Sequence, residues 1–327
     1  MKTCEKIDIS AGYVDEAIDP ALNLPDEIHR LKHLKNAVIL AHYYTPGEVQ
    51  LVADFVGDSL ALSQEAAKTD ADIILFAGVH FMAETAKILS PGKKVLLPDL
   101  NAGCSLAESC PADRFADFKA RYPDHKVVAY VNTSAAVKAV TDVCCTSSNA
   151  EKIVSSFPPE QKLIFAPDRN LGNYIRSKTG RDMVLWDGAC HVHEEFSVER
   201  IVELKQKYPY AKVLAHPECK APVLLLAHFI GSTAALINFC AEDDAQEYIV
   251  VTESGILHEM QRRYPEKHFI PAPPTDSECG CNDCVYMKMM TLPRIYLTLK
   301  YETPEITLDE TTRTLAERSI REMLRLS

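Results

Sequence analysis

The run AVILAHYYTPGEVQLVADFVGDSL, beginning at residue 37, returns as KVVAYVNTSAAVKAVTDVCCTSSN from 126 and as KVLAHPECKAPVLLLAHFIGSTAAL from 212. Superposing the three copies aligns His42 with Tyr130 and His216, at offsets of 88 and then 86 residues. The same offsets align Tyr44 with Asn132 and Glu218, and Ser59 with Ser147 and Thr233. Each copy continues through two more apolar runs to a cysteine: Cys104, Cys190 or Cys284. A chain that repeats its polar landmarks in constant register repeats its fold. Three like units around an axis would point their equivalent cysteines at one place.

Each copy contains four short apolar runs. They are 37–41, 54–57, 73–77 and 94–98 in the first copy, then 126–131, 142–145, 162–166 and 183–186 in the second. The third copy has 212–215, 228–231, 248–252 and 267–271. Runs of this length, rich in Val, Ile, Leu and Phe and separated by helical patterns, predict parallel strands buried on both faces. Right-handed crossovers then give three small doubly wound α/β units. The predicted domains are residues 1–104 completed by 285–327, then 105–190, then 191–284. The final segment spaces Leu315, Ile320, Met323 and Leu324 as on a helix, which is expected to pack on the first unit.

Ligands of such sheets gather at the carboxyl ends of the strands. His42, Tyr44, Tyr130, Asn132, His216 and Glu218 follow first strands. Ser59, Ser147, Ser232 and Thr233 follow second strands and open helices, and the three cysteines follow fourth strands. Packing alone would not select polar residues at one end.

The length of 327 residues exceeds one ordinary core. The net charge of -11 is spread over isolated acids, which argues against nucleic acid or an anionic membrane as partner. No apolar leader and no run of membrane length is present, so a cytoplasmic protein is expected. Eleven cysteines in that setting predict thiol chemistry or metal ligation before structural disulfides.

Three thiolates on small-residue loops suit an iron–sulfur cluster, where backbone N–H groups approach the sulfurs. Three protein ligands would leave one iron of a 4Fe–4S cube open as a Lewis acid. The alternative is three buried structural cysteines. Cys279 and Cys281 crowd Cys284 in CGCNDC and are read as accessory thiols. Cys110, Cys144, Cys145, Cys219 and Cys240 are read as packing residues, and Cys4 is uninformative.

Glu218, in HPE, is the lone acid at its repeat position and suits a general acid/base; a surface salt bridge is the alternative. His42 and His216 either cap strands or bind ligand. Ser59, Ser147, Ser232 and Thr233 either cap helices or place helix N-termini around carboxylates and phosphate. His193, three residues after Cys190, lies near the metal site in either case. No GxGxxG or P-loop motif supports a nucleotide cofactor.

Taken together, AHYY, GDS, LPDLNAGCS, AYVNT, the SN of CCTSSN, WDGACHVH, HPE, GST and the final C-x-x-M-K resemble the quinolinate synthase family, in order and at spacing, from about residue 25 onward. The resemblance implies three pseudosymmetric three-layer α/β/α units around a central cavity, floored by a 4Fe–4S cluster on Cys104, Cys190 and Cys284. It implies condensation of iminoaspartate with dihydroxyacetone phosphate to quinolinate, with loss of phosphate and two waters. It also implies a functional link to an L-aspartate oxidase or dehydrogenase. His42, Ser59, Tyr130, Asn132, Ser147, His216, Ser232 and Thr233, with Tyr44, would hold the carboxylates and phosphate. Glu218 would be the main acid/base, Tyr44 would assist proton transfer, and His193 matches a position beside the cluster. Some members carry C-x-x-C-x-x-C near the third ligand where this chain has C-x-C-x-x-C, and no redox role is assigned to Cys279 or Cys281. Two further readings fit the same residues: another cluster-bearing hydro-lyase of a small carboxylic acid, and a metal-bound ligand sensor without turnover.

Overall fold

The twelve apolar runs become twelve strands in a computed structural model that describes residues 7–275 and 282–327; Cys4, Cys279 and Cys281 lie outside them. The first repeat supplies β1 (Ala37–His42), β2 (Phe55–Gly57), β3 (Ile73–Ala77) and β4 (Lys94–Leu96). The second supplies β5 (Lys126–Tyr130), β6 (Val143–Cys145), β7 (Leu163–Ala166) and β8 (Met183–Leu185). The third supplies β9 (Lys212–Ala215), β10 (Phe229–Ile230), β11 (Glu247–Val251) and β12 (His268–Pro271). Each repeat forms its own four-stranded parallel sheet, ordered β2-β1-β3-β4, β6-β5-β7-β8 and β10-β9-β11-β12. The inner strands β3 and β7 are buried along their whole length, which explains why their sequences are continuously apolar.

A reciprocal hydrogen bond recurs at the start of each second strand. Asp54 donates its N–H to Ile39 O (2.9 Å) and accepts the Ile39 N–H on Oδ2 (2.7 Å). Asp142 does the same with Val127, at 3.2 and 2.8 Å. His228 replaces the acid in the third repeat, accepting the Val213 N–H on Nδ1 (2.8 Å) and donating to Val213 O (2.8 Å). These pairs pin register between the first and second strands three times over, and register decides which strand-end residues stand together.

The chain divides into two compact units. The first comprises residues 1–57, 61–103 and 285–308; the second comprises 58–60, 104–284 and 309–327. In the first, the helix Leu24–Leu34 begins at Asn23, whose side chain accepts the Asp26 N–H, and buries Ile28 and Leu31. These join Ile39, Leu75, Ile295 and Leu299 in one core. Each fully buried side chain of this kind contributes about 1.5–3 kcal/mol. The second unit holds the other two sheets. Its cores include Phe115, Val127, Ile164 and Trp186 under the second sheet, and Phe196, Val213, Ile249 and Ile270 under the third.

The terminal helix Glu310–Leu326 departs from the expectation that it would pack on the first unit. It belongs to the second unit and lies on the helix Ala135–Ala139 and on β6. It buries Ala316, Ser319, Ile320 and Met323, and Leu315 stays partly exposed. The Ser319 hydroxyl donates to Lys138 O at 2.9 Å and receives the Cys144 thiol at 3.3 Å. Its apolar stripe prescribed a buried face, but a stripe does not name the sheet that receives it. Among the described residues, no helix is long and apolar enough to cross a membrane.

Candidate metal and acid/base site

The first strands of the first and third repeats end alike. In the first unit, the Tyr44 N–H donates to His42 Nδ1 at 3.1 Å, and the two rings stand edge to face at 4.5 Å. In the second, the Glu218 N–H donates to His216 Nδ1 at 3.4 Å. An accepting Nδ1 puts the proton of the neutral ring on Nε2. In the second repeat, Tyr130 and Asn132 occupy the same positions, and the Asn132 Oδ1 is buried with no protein partner. An orphaned acceptor of this kind costs about 1–3 kcal/mol unless a ligand or water meets it.

Glu218 is 3% exposed and stands at the centre of the second unit's polar cluster. Its Oε1 accepts the Tyr130 hydroxyl at 2.5 Å and lies 3.9 Å from His216 Nδ1, while Oε2 lies 2.9 Å from His193 Nδ1. His193 Nε2 reaches Thr252 Oγ1 at 2.9 Å, and its ring stacks on His216 at 4.8 Å. His216 Nε2 lies 3.3 Å from Ser147 Oγ. Burial pushes the Glu218 carboxyl up, but the two neighbouring imidazoles and the Tyr130 hydrogen bond outweigh it and hold the group at about 2. Burial pushes His216 down to about 3 despite the pull of Glu218. The cluster therefore carries an ionised carboxylate beside a neutral imidazole at neutral pH, and each is a weak base until substrate changes its surroundings. The surface salt bridge considered for Glu218 is not what forms.

The second-strand residues divide. Ser232 caps the helix Thr233–Glu242 by accepting the Ala235 N–H (3.3 Å), and both Ser232 and Thr233 are buried. Ser59 opens the helix Ser59–Lys68. Ser147 does not cap: Asn149 is the N-cap of the helix Ala150–Ser155, which leaves the Ser147 hydroxyl toward His216.

Cys104, Cys190 and Cys284 each immediately precede a four-residue helix: Ser105–Glu108, His191–Glu194 and Val285–Lys288. Two contacts tie the three loops together inside the second unit. Ser105 Oγ meets His191 Nδ1 at 2.6 Å, and Asn282 Nδ2 donates to Val192 O at 2.8 Å. None of the three is in a disulfide. Burial pushes the Cys104 thiol up to about 12, with Cys284 and Glu218 adding to the effect, while the Ala107 and Leu106 N–H groups act against it. Burial and the neighbouring Glu218 and Cys104 likewise raise Cys190, opposed by the His193 N–H. Half-buried thiols that repel one another yet receive backbone N–H groups fit a metal centre, because bound iron would supply the compensating positive charge. Cys190, His193 and Glu218 also bring a sulfur, a ring nitrogen and a carboxylate oxygen within 4.8 Å of one another. Cys110, Cys144, Cys145, Cys219 and Cys240 are buried, as expected of packing residues.

Sequence reasoning missed two carboxylates. Asp168 and Glu253, both 0% exposed, follow β7 and β11 by two residues. Asp168 accepts the Leu171 N–H (2.8 Å) and the Cys190 N–H (3.2 Å). Glu253 accepts the Gly255 N–H (2.7 Å) and the Cys284 N–H (3.0 Å). The signal available was an acid at one repeat position after two of the third strands. Asn170 was also missed; its Nδ2 donates to Glu218 O at 3.1 Å.

Known proteins resemble this chain along nearly its whole length. A quinolinate synthase of Thermosynechococcus vestitus is 60% identical over 306 residues, covering 94% of this chain and 96% of its own length. Quinolinate synthases of a Synechococcus species and of Chloroherpeton thalassium are each 57% identical, across 94% of this chain and 97% and 95% of theirs. The family model described as "NadA: Quinolinate synthetase A protein" matches residues 26–325, and the chain belongs to that family.

Proposed function

We propose that the chain is a quinolinate synthase of the cytoplasm, condensing iminoaspartate with dihydroxyacetone phosphate to quinolinate with release of phosphate and two waters. The observation that carries the reading is Glu218, held between Tyr130 (2.5 Å) and His193 (2.9 Å) within 4.8 Å of Cys190, in a chain of this family. The three repeats serve as three domains, with the terminal helix counted in the second. Cys104, Cys190 and Cys284 would hold a 4Fe–4S cluster, which when bound supplies one open, Lewis-acidic iron for a substrate oxygen.

The remaining chemistry falls to the chain's own side chains. The ionised Glu218 takes a proton from carbon or nitrogen at one step and returns it to a departing hydroxyl at another, with Tyr44 assisting. Tyr130 and His193 hold the carboxylate in place and limit its charge while it is empty of protons. Asn132 Oδ1, lacking a protein donor, suits an N–H or O–H of substrate. His42, Ser59, Ser147, His216, Ser232 and Thr233 supply hydroxyl and ring donors for the two carboxylates and the phosphate. Iminoaspartate is short-lived in water, so an L-aspartate oxidase or dehydrogenase is the matching supplier.

The test is anaerobic turnover of the reconstituted protein with dihydroxyacetone phosphate and freshly generated iminoaspartate, reading quinolinate and phosphate. Equal amounts of both products are expected. Phosphate release without quinolinate would point to another dehydrating reaction of the same site. A second reading, a sensor holding a single ion on Cys190, His193 and Glu218, follows from the tightness of that trio; it predicts one metal per chain and no product.

A further inference from the structure

We infer that Asp168 and Glu253 are positioning residues for the metal centre, each bracing one ligand cysteine against the helix that follows its sheet's third strand. The inference rests on the cluster assignment proposed above. Strand register makes the two acids equivalent: Ala129 pairs with Ala166 and Ala215 with Val251, and Asp168 and Glu253 lie two residues beyond. Both are fully buried, and both divide their oxygens in the same way. One oxygen accepts an N–H at the start of the following helix, from Leu171 inside its first turn or from the N-cap Gly255, at 2.8 and 2.7 Å. The other accepts the N–H of the cysteine itself, Cys190 or Cys284, at 3.2 and 3.0 Å. A capping residue needs only the first of these bonds. The second, repeated after two different strands, fixes the peptide that carries each sulfur and hence the direction of its Cα–Cβ bond. In the first repeat the register partner Ala77 of Ala41 leads two residues on to Val79, so Cys104 has no such acid.

Groups that orient metal ligands from behind control how tightly the metal is kept. Replacing either acid by its amide preserves size and leaves one accepting oxygen, so the N–H bonded to the lost oxygen is released. Asparagine is itself a favoured N-cap, so at Asp168 the bond given up is the one to Cys190.

The experiment compares anaerobically reconstituted wild type with Asp168→Asn, Glu253→Gln and a capping control, Ser197→Ala, whose hydroxyl accepts the Arg200 N–H rather than that of a ligand cysteine. Iron and sulfide content, the electron paramagnetic resonance spectrum of the reduced centre and the rate of iron loss to a chelator are read together. The amide variants are expected to load the same centre, show altered g-values and lose iron about tenfold faster or more. Ser197→Ala is expected to lower the melting temperature without changing spectrum or loss rate. Should Asp168→Asn fail to fold, Glu253→Gln carries the same comparison at Cys284. Unchanged spectra and loss rates in the amide variants, or equal acceleration in Ser197→Ala, would overturn the brace. Wild type without iron and sulfide would instead sink the cluster assignment.

Discussion

Glu218→Gln isolates the charge on the residue to which the account gives the proton transfers. The carboxylate is 3% exposed, so solvent has little room to replace it. Glutamine matches it in shape and leaves one oxygen to accept the Tyr130 hydroxyl now at 2.5 Å. It presents no basic oxygen to substrate and no anion to His193, whose Nδ1 lies 2.9 Å from Oε2. A positioned acid/base is worth about 10²–10⁴ in rate. That corresponds to about 2.7–5.4 kcal/mol of barrier. With His216 neutral beside it, the amide strands no buried cation there, so folding should survive. The assay is quinolinate formation under anaerobic conditions, with iron content measured on the same samples. The expected result is kcat lower by about two to four orders of magnitude with iron unchanged and KM little altered. A kcat within about threefold of wild type at equal iron content would remove Glu218 from proton transfer.

Three further outcomes follow from the same geometry. Tyr130→Phe removes a donor that helps hold the Glu218 carboxyl low, so the acid limb of kcat/KM should move to higher pH; an unmoved limb would contradict the coupling. His216 is held near 3 when folded against an ordinary 6.5, so between those values the unfolded chain binds a proton that the folded chain does not. Stability is then complete above about pH 6.5 and falls on acidification, by about 1.36 kcal/mol per pH unit at most for this group. The urea midpoint of the metal-free protein should be lower at pH 5.5 than at 7.5, and equal midpoints would contradict it. In Gly188→Ala the new methyl would lie 2.6 Å from Pro167 O and closer still to Ser109 Oγ, two residues before Cys190. An overpacking cost of about 1–3 kcal/mol should appear as a lower melting temperature, with reduced iron content; neither change would mean the loop has slack.

Much of this was legible because the repeat is polar as well as apolar. β3 and β7 occupy runs that could be read directly, since strands buried on both faces leave uninterrupted Val, Ile, Leu and Phe. Glu218 was legible as the single acid at its repeat position, and the structure gives it the buried partners that such an acid needs. Ser147 was ambiguous in sequence because a serine before a helix normally caps it; here the helix starts only after Asn149, two residues later. Asp168 and Glu253 were hidden for the same reason: an acid opening a helix has an ordinary explanation, and only the folded chain brings the cysteine N–H to its second oxygen. The seat of the terminal helix was not legible at all. Ile320 and Met323 specify that a face must be buried, whereas the contact with Lys138 O and Cys144 spans about half the chain.

The central claim is that three cysteines from three repeats hold one cluster. Iron and acid-labile sulfide should be measured, with Mössbauer spectra, on anaerobically purified protein and on the Cys104→Ala, Cys190→Ala and Cys284→Ala variants. The account predicts about four irons and four sulfides per chain in the wild type, lost from each variant. A single zinc, no metal, or a cluster that persists in any one variant would contradict it.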